Sequence, residues 1–170
     1  GDEVFVTGFD LGMNTSGGYQ EYIRVPAAWV IKRLPNLNLK ETMVYGTAGL
    51  TALLSVAALV DAGVKARDGE VLVTGTTGGV GSFAARTLVK LGYDVVGVQR
   101  RPEEEAFLNS LGLKRIVPVE EVDDQSGRPL GKGVWAGVID TVGGNILYTA
   151  IKTTHYGGSV TCCGNAASNS

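Results

Sequence analysis

The chain has 170 residues, 44% of them hydrophobic, which is enough for the core of one domain with a fragment of another. Its 15 Lys and Arg against 17 Asp and Glu leave a formal net charge of −2 with no long basic run, so nucleic acid is not an expected partner. The two cysteines, Cys162 and Cys163, are adjacent in a segment that reads as a buried strand. They allow no disulfide framework or CxxC pair, so inert thiols in a reducing cytoplasm are expected.

The opening GDEVFVTG reads as the interior of a domain, and the chain is expected to start in mid fold. No signal-peptide pattern and no apolar run long enough to span a bilayer stand out, so no membrane partner is expected. Through residues 2–25, two short alternating segments, VFVTG and YQEYIRV, flank a Gly/Asn/Ser loop at 12–18. This is antiparallel β material too short to close on itself. The texture changes from about Leu39. Asn38 with Glu41 three residues on is a capping signature, and Ala48, Leu53, Ala57, Leu59 and Val60 supply the apolar content of a long helix ending near Gly63.

Beyond Gly69 the pattern is strictly β then α. Strands are expected near 70–74, 93–98, 115–117, 136–140 and 159–163, and helices near 80–91, 102–111 and 145–154. Such alternation predicts a parallel sheet covered on both faces, a doubly wound α/β domain of Rossmann type. The polar stretch 123–133, DDQSGRPLGKG, reads as a surface excursion rather than part of a site.

The most informative segment is VLVTGTTGGVGS, residues 71–82. A β-branched run enters a loop with Gly75, Gly78, Gly79 and Gly81, and a helical pattern carried by Val80, Ala84, Leu88 and Leu91 follows. Glycine permits the tight turn and a close backbone approach, and the unpaired amides of the helix's first turn favour a pyrophosphate. The loop lacks the lysine that an ATP-binding loop needs after its last glycine.

In the NAD version of this arrangement, an acidic residue about 20 positions on binds the adenosine ribose. Here Gln99, Arg100 and Arg101 stand there instead. Two guanidiniums suit a 2′-phosphate and favour NADP(H), the alternative being that they only neutralise Glu103 to Glu105 at the start of the next helix.

Thr74 to Gly81 also fits TGxxxGxG, and Tyr148 with Lys152 fits YxxxK, the pattern of short-chain dehydrogenases. The interval between the two motifs is about half what that family leaves, and no serine lies a turn or more upstream of Tyr148. The pair is therefore read as i, i+4 neighbours on an ordinary helix. Taken in order, GDEVFVTG, GGYQEYIRV, YGTAGLTA, VLVTGTTGGVG, VWAGVIDTVGG and YGGSVTCCG make the chain resemble the medium-chain dehydrogenase/reductase superfamily. It is most similar to the zinc-free quinone oxidoreductase branch and its acryloyl-CoA reductase subgroup.

The resemblance implies NADPH-dependent reduction of an activated carbon–carbon double bond in an enoyl thioester, enone or quinone, with no metal and, in the full-length protein, a homodimer. It places Thr77, Gly78, Gly79 and Val80 at the pyrophosphate, and Gln99, Arg100 and Arg101 at the adenosine phosphate. Thr47 and Thr51 fall near the nicotinamide, or else bond only within their helix, and Gly164 and Asn165 border the same cleft. Asn14 is a weaker substrate-side candidate, and His155, standing alone, reads as structural. Residues 1–33 correspond to a remnant of a GroES-like catalytic domain and 34–170 to the NADP-binding domain. The family's polar active-site side chains lie in segments with no counterpart here, so the catalytic residues are unknown. The chain alone is expected to bind NADPH weakly and not to turn over substrate. A nucleotide-binding redox sensor or structural protein of the same fold remains the alternative.

Overall fold

The computed structural model describes residues 1–167. Contacts divide the chain into two units, Gly1–Leu50 and Thr51–Ser170. In the first, β1 (Val4–Phe5) pairs antiparallel with β2 (Ile31–Lys32), with Phe5 opposite Ile31. Phe9 stacks on Trp29 with ring centroids 5.1 Å apart, and the Arg33 Nε donates to the Glu3 carboxylate at 2.7 Å. The YQEYIRV segment forms no strand. Tyr19, Tyr22 and Ile23 are all exposed, so its alternation has no buried face to enforce pairing.

The capping signature is realised at the start of α1 (Leu39–Asp61). The Glu41 amide donates to Asn38 Oδ1 and the Asn38 amide to Glu41 Oε2, each at 2.8 Å. By length and apolar composition this 23-residue element qualifies as a membrane span, contrary to the sequence expectation. Gly46, at φ 40° and ψ −144°, interrupts its helical path. The uninterrupted helix on either side is therefore shorter than the roughly 20 residues a bilayer crossing needs.

In the second unit five parallel strands form one sheet in the order β5-β4-β3-β6-β7, the doubly wound arrangement expected. These are β3 (Val71–Val73), β4 (Val95–Gln99), β5 (Arg115–Pro118), β6 (Trp135–Asp140) and β7 (Thr154–Cys162). The crossovers carry α2 (Gly79–Lys90), α3 (Glu105–Ser110) and α4 (Gly144–Thr153). Successive strand residues face opposite ways, so Val71, Val73 and Val95 pack with Leu88 of α2 and Leu59 of α1. Leu72, Val96 and Val98 pack on the other face with Ala150 of α4.

Two boundaries differ from expectation. The helix expected at 102–111 opens as a 3-10 turn, Pro102–Glu104, because proline's fixed φ and missing amide suit the first turn. Strand β7 begins five residues early, and its pairing with β6 shifts register between Trp135 and Gly137. Among the described residues β7 pairs on one side only, so Cys162 and Cys163 are exposed rather than buried, a correction to the sequence reading.

A buried polar network ties the carboxyl ends of β3 and β6. The Thr74 hydroxyl donates to Asp140 Oδ1 at 2.6 Å and accepts from the Thr141 amide at 3.0 Å. The Thr141 hydroxyl donates to the Thr74 carbonyl at 3.0 Å, and the Gly143 amide donates to Asp140 Oδ2 at 2.8 Å. Thr76 performs the same task toward β4, donating to the Val73 carbonyl at 2.6 Å and accepting from the Val98 amide at 2.8 Å.

Because Leu88 is fully buried between sheet and helices, Leu88→Ala is expected to lower stability to denaturant by about 2–5 kcal/mol. Asp140→Asn keeps the shape but turns a donor toward a donor, at Thr74 or at Gly143. Denaturant unfolding should show a loss of about 1–3 kcal/mol, and no loss would mean that the network is not stabilising.

Candidate functional site

The chain runs outward through β3, β4 and β5, then returns to place β6 on the other side of β3. Strand order reverses between β3 and β6, and open α/β sheets bind ligands at the carboxyl ends of the strands beside such a reversal. A cleft of about 930 Å³ lies there. Its walls are Gly75, Thr77 and Gly78 from the glycine loop, Arg100 after β4, and Thr141 and Asn145 after β6.

The loop's shape depends on absent side chains. A Cβ on Gly81 would press on the Gly75 carbonyl oxygen and reach its carbon at 2.8 Å, and one on Gly75, at φ +56°, would strike the Thr141 hydroxyl. The chain can therefore double back only as glycine, which sets the start of α2 against the loop. Gly78, the capping residue, brings no side-chain acceptor to the first-turn amides, and Gly78 and Gly79 are exposed. Unpaired donors at a positive helix end, in a cradle that a side chain would fill, fit a diphosphate.

The residues expected at the adenosine phosphate divide. The Glu104 carboxylate accepts from the amides of Arg100 at 2.9 Å and Arg101 at 3.3 Å, bonds that, the first above all, hold its pKa below the usual carboxylate value. The Arg101 guanidinium lies 3.6 Å from Glu104 and 3.8 Å from Glu103. Arg100 makes no ion pair with the described residues and lines the cleft. Gln99 folds away, donating to the carbonyls of Arg101 at 3.1 Å and Pro102 at 3.4 Å.

Thr77 and Gly78 line the cleft, whereas Val80 is half-buried and packs on the core beneath. The Asn165 side chain and the Gly164 carbonyl lie against Gly143, and Gly164 is itself pressed on the Thr141 carbonyl. Thr47 belongs to the Gly1–Leu50 unit, where its hydroxyl lies 3.2 Å from that of Thr7 beside a cleft of about 900 Å³. In the second unit the Thr51 carbonyl accepts from the Ser55 hydroxyl at 2.9 Å.

Sequence reasoning missed the wall between β5 and β6. Asp123 and Gln125, in the stretch read as a surface excursion, line the cleft. They are held there by α4, whose Asn145 Nδ2 donates to Asp123 Oδ1 at 2.5 Å. Lys152, 2% exposed, pairs with Asp124 at 2.6 Å. That hydrogen bond, with those from Ser126, holds the Asp124 carboxyl down at about 2. Its contribution is complete above the ordinary carboxylate range and is lost only as pH falls through about 2. An Asp-Asp-Gln run in a polar loop signals no site by itself. Only the spacing of Asn145, Thr149 and Lys152 on one helical face hinted that something docks there.

Among the described residues no group of three His, Cys, Asp or Glu side chains could hold a metal ion. Cys162 Sγ lies 3.7 Å from Asp140 Oδ2, but that oxygen already accepts from the Gly143 amide, and burial raises the thiol's pKa. These donors do not fit a zinc site.

Residues 79–170 match the model of the zinc-binding dehydrogenase family. The probable acrylyl-CoA reductase AcuI of Escherichia coli K12 is 47% identical over 98% of this chain and 51% of its own length. The E. coli K-12 YhdH structure with bound NADPH superposes with a TM-score of 0.94 at 46% identity, covering 100% of this chain and 52% of that one. The Bacillus subtilis yhfP structure with NAD bound gives 0.90 at 45% identity, covering 96% and 50%. The chain thus spans about half the length of the curated relatives it matches. With a parallel Rossmann sheet, a glycine cradle at its switch point and these matches across its length, the chain belongs to the medium-chain dehydrogenase/reductase superfamily.

Proposed function

We propose that this chain is the cofactor-binding part of an NADPH-dependent oxidoreductase that reduces an activated carbon–carbon double bond, in an enoyl thioester such as acryloyl-CoA or in an enone or quinone. The glycine cradle carries this reading, since it offers first-turn amides with no side-chain cap in a cleft that the Arg100 guanidinium also lines. The similarity to a probable acrylyl-CoA reductase supports the substrate class.

Thr77, Gly79 and Val80 hold the diphosphate through backbone amides, while the Gly78 amide closes the loop on the Gly75 carbonyl at 2.9 Å. Arg100, which makes no ion pair with the described residues, takes the 2′-phosphate as a planar fork, with Arg101 adding charge from outside. The nicotinamide half lies toward Gly164 and Asn165, beyond β6. The bound coenzyme supplies the hydride. The protein's part is to fix its orientation and keep water from the reacting face.

NAD is the second reading, because a relative of nearly equal identity has NAD bound and because Arg101 already faces two glutamates. The two are separated by titrating the chain with NADPH and NADH. Arg100→Ala should cut NADPH affinity about tenfold, the worth of a charge-assisted contact, and leave NADH unchanged. Arg101→Ala should cost roughly threefold or less. An unaltered NADPH preference in Arg100→Ala would remove the case for NADP.

A further inference from the structure

Lys152 is an expensive residue to bury. Its side chain is 2% exposed on α4, and an ammonium taken out of water costs several kcal/mol unless it is paired and hydrogen-bonded. Among the described residues its partners belong to its own helix or to one segment. Nζ lies 2.6 Å from Asp124 Oδ2, donates to the Arg128 carbonyl at 3.3 Å and sits 4.9 Å above the Tyr148 ring. An apolar side chain would fill the space without the charge, so packing alone does not account for a lysine there.

The segment that Lys152 grips is otherwise tied to the same helix. The Asp124 amide donates to the Thr149 hydroxyl at 3.0 Å, and Asn145 Nδ2 donates to the Asp124 carbonyl at 3.1 Å and to Asp123 Oδ1 at 2.5 Å. Within the segment, the Ser126 amide and hydroxyl donate to the Asp124 carboxylate at 2.8 and 3.0 Å, and Gln125 Nε2 donates to Asp123 at 3.0 Å. Three positions about one helical turn apart, Asn145, Thr149 and Lys152, hold a polar loop as one piece. The two side chains that this piece turns to the cleft are Asp123 and Gln125, opposite the glycine loop and next to Arg100. Arg100, after β4, and Val119, after β5, line the same cleft, so the wall borders the adenosine half of a dinucleotide laid across β3.

We propose that Lys152 is a positioning residue, touching no ligand, that sets the cleft's affinity for the adenosine half of the coenzyme by latching residues 123–128 to α4. This rests on the NADPH reading above. The Tyr148–Lys152 pair thereby has a structural task in place of the proton transfer that its YxxxK spacing suggests.

The test uses the whole chain and the Lys152→Met variant, with 2′,5′-ADP as the probe. Amide hydrogen exchange at Ser126 should accelerate about tenfold while the amides of β3 and β6 keep their protection, which locates the change in the latch. In the same samples, 2′,5′-ADP affinity should fall about fivefold to tenfold. Faster exchange with unchanged affinity would overturn the positioning role, and unchanged exchange would overturn the latch. Wild-type chain that takes up no 2′,5′-ADP would overturn the cofactor reading, and the positioning role with it, whatever the exchange shows. If Lys152→Met does not fold, the near-isosteric Thr149→Val, which removes the acceptor of the Asp124 amide, weakens the same latch and must move both readouts in the same direction.

Discussion

The interaction on which the site depends is the Asp140 carboxylate buried between β3 and β6. Its two oxygens serve different partners, the Thr74 hydroxyl of one strand end and the Gly143 amide of the turn into α4. A wholly buried carboxylate is costly unless its lone pairs are used, and here its oxygens accept from a backbone amide and from the hydroxyl of a short, β-branched side chain. The cost brings rigidity at the switch point. Thr74 leads into the glycine loop and Gly143 into the opposite wall, so one carboxylate sets the width of the cleft from both sides. Hydrophobic contacts on the sheet faces stabilise the unit, but being non-directional they do not fix that width.

The glycines extend the same constraint. Gly75 and Gly81 press loop and helix together until no side chain fits between, and Gly143 and Gly164 do so beyond β6. Backbone amides on the β3 side are thereby brought forward at a place where a side chain would hold any ligand off. A diphosphate is well suited to such a site, since it needs several donors converging from one direction and little depth.

The succession of strands and helices, both covered faces and the cradle could be read from residues because each follows from short-range rules: apolar strand runs, helical periodicity and glycine spacing. What failed depended on long-range contacts. YQEYIRV alternates as a strand should, yet has no neighbour to bury it. Cys162 and Cys163 are as apolar as a buried strand end, but exposure depends on whether a further strand lies beside β7, which local composition does not encode. Arg100 and Arg101 look equivalent in sequence. They separate only because Glu104 curls back over the first helical turn, taking the Arg101 guanidinium and leaving that of Arg100 beside the cleft.

The stretch 123–133 shows the same limit in its sharpest form. Its composition is that of a solvated excursion, and a polar loop with a bland helix after it gives no reason to suspect a wall. Yet polar segments are also the ones able to dock by hydrogen bonds rather than by burial, provided that the facing helix presents partners at its own period. Asn145, Thr149 and Lys152 supply that period, and Lys152 supplies the charge. A loop held this way can be both polar and rigid, which a binding wall for a polar ligand requires. Water-facing chemistry on one side and an ion pair to a buried lysine on the other give the segment two faces, much as a helix has, although no hydrophobic pattern marks it.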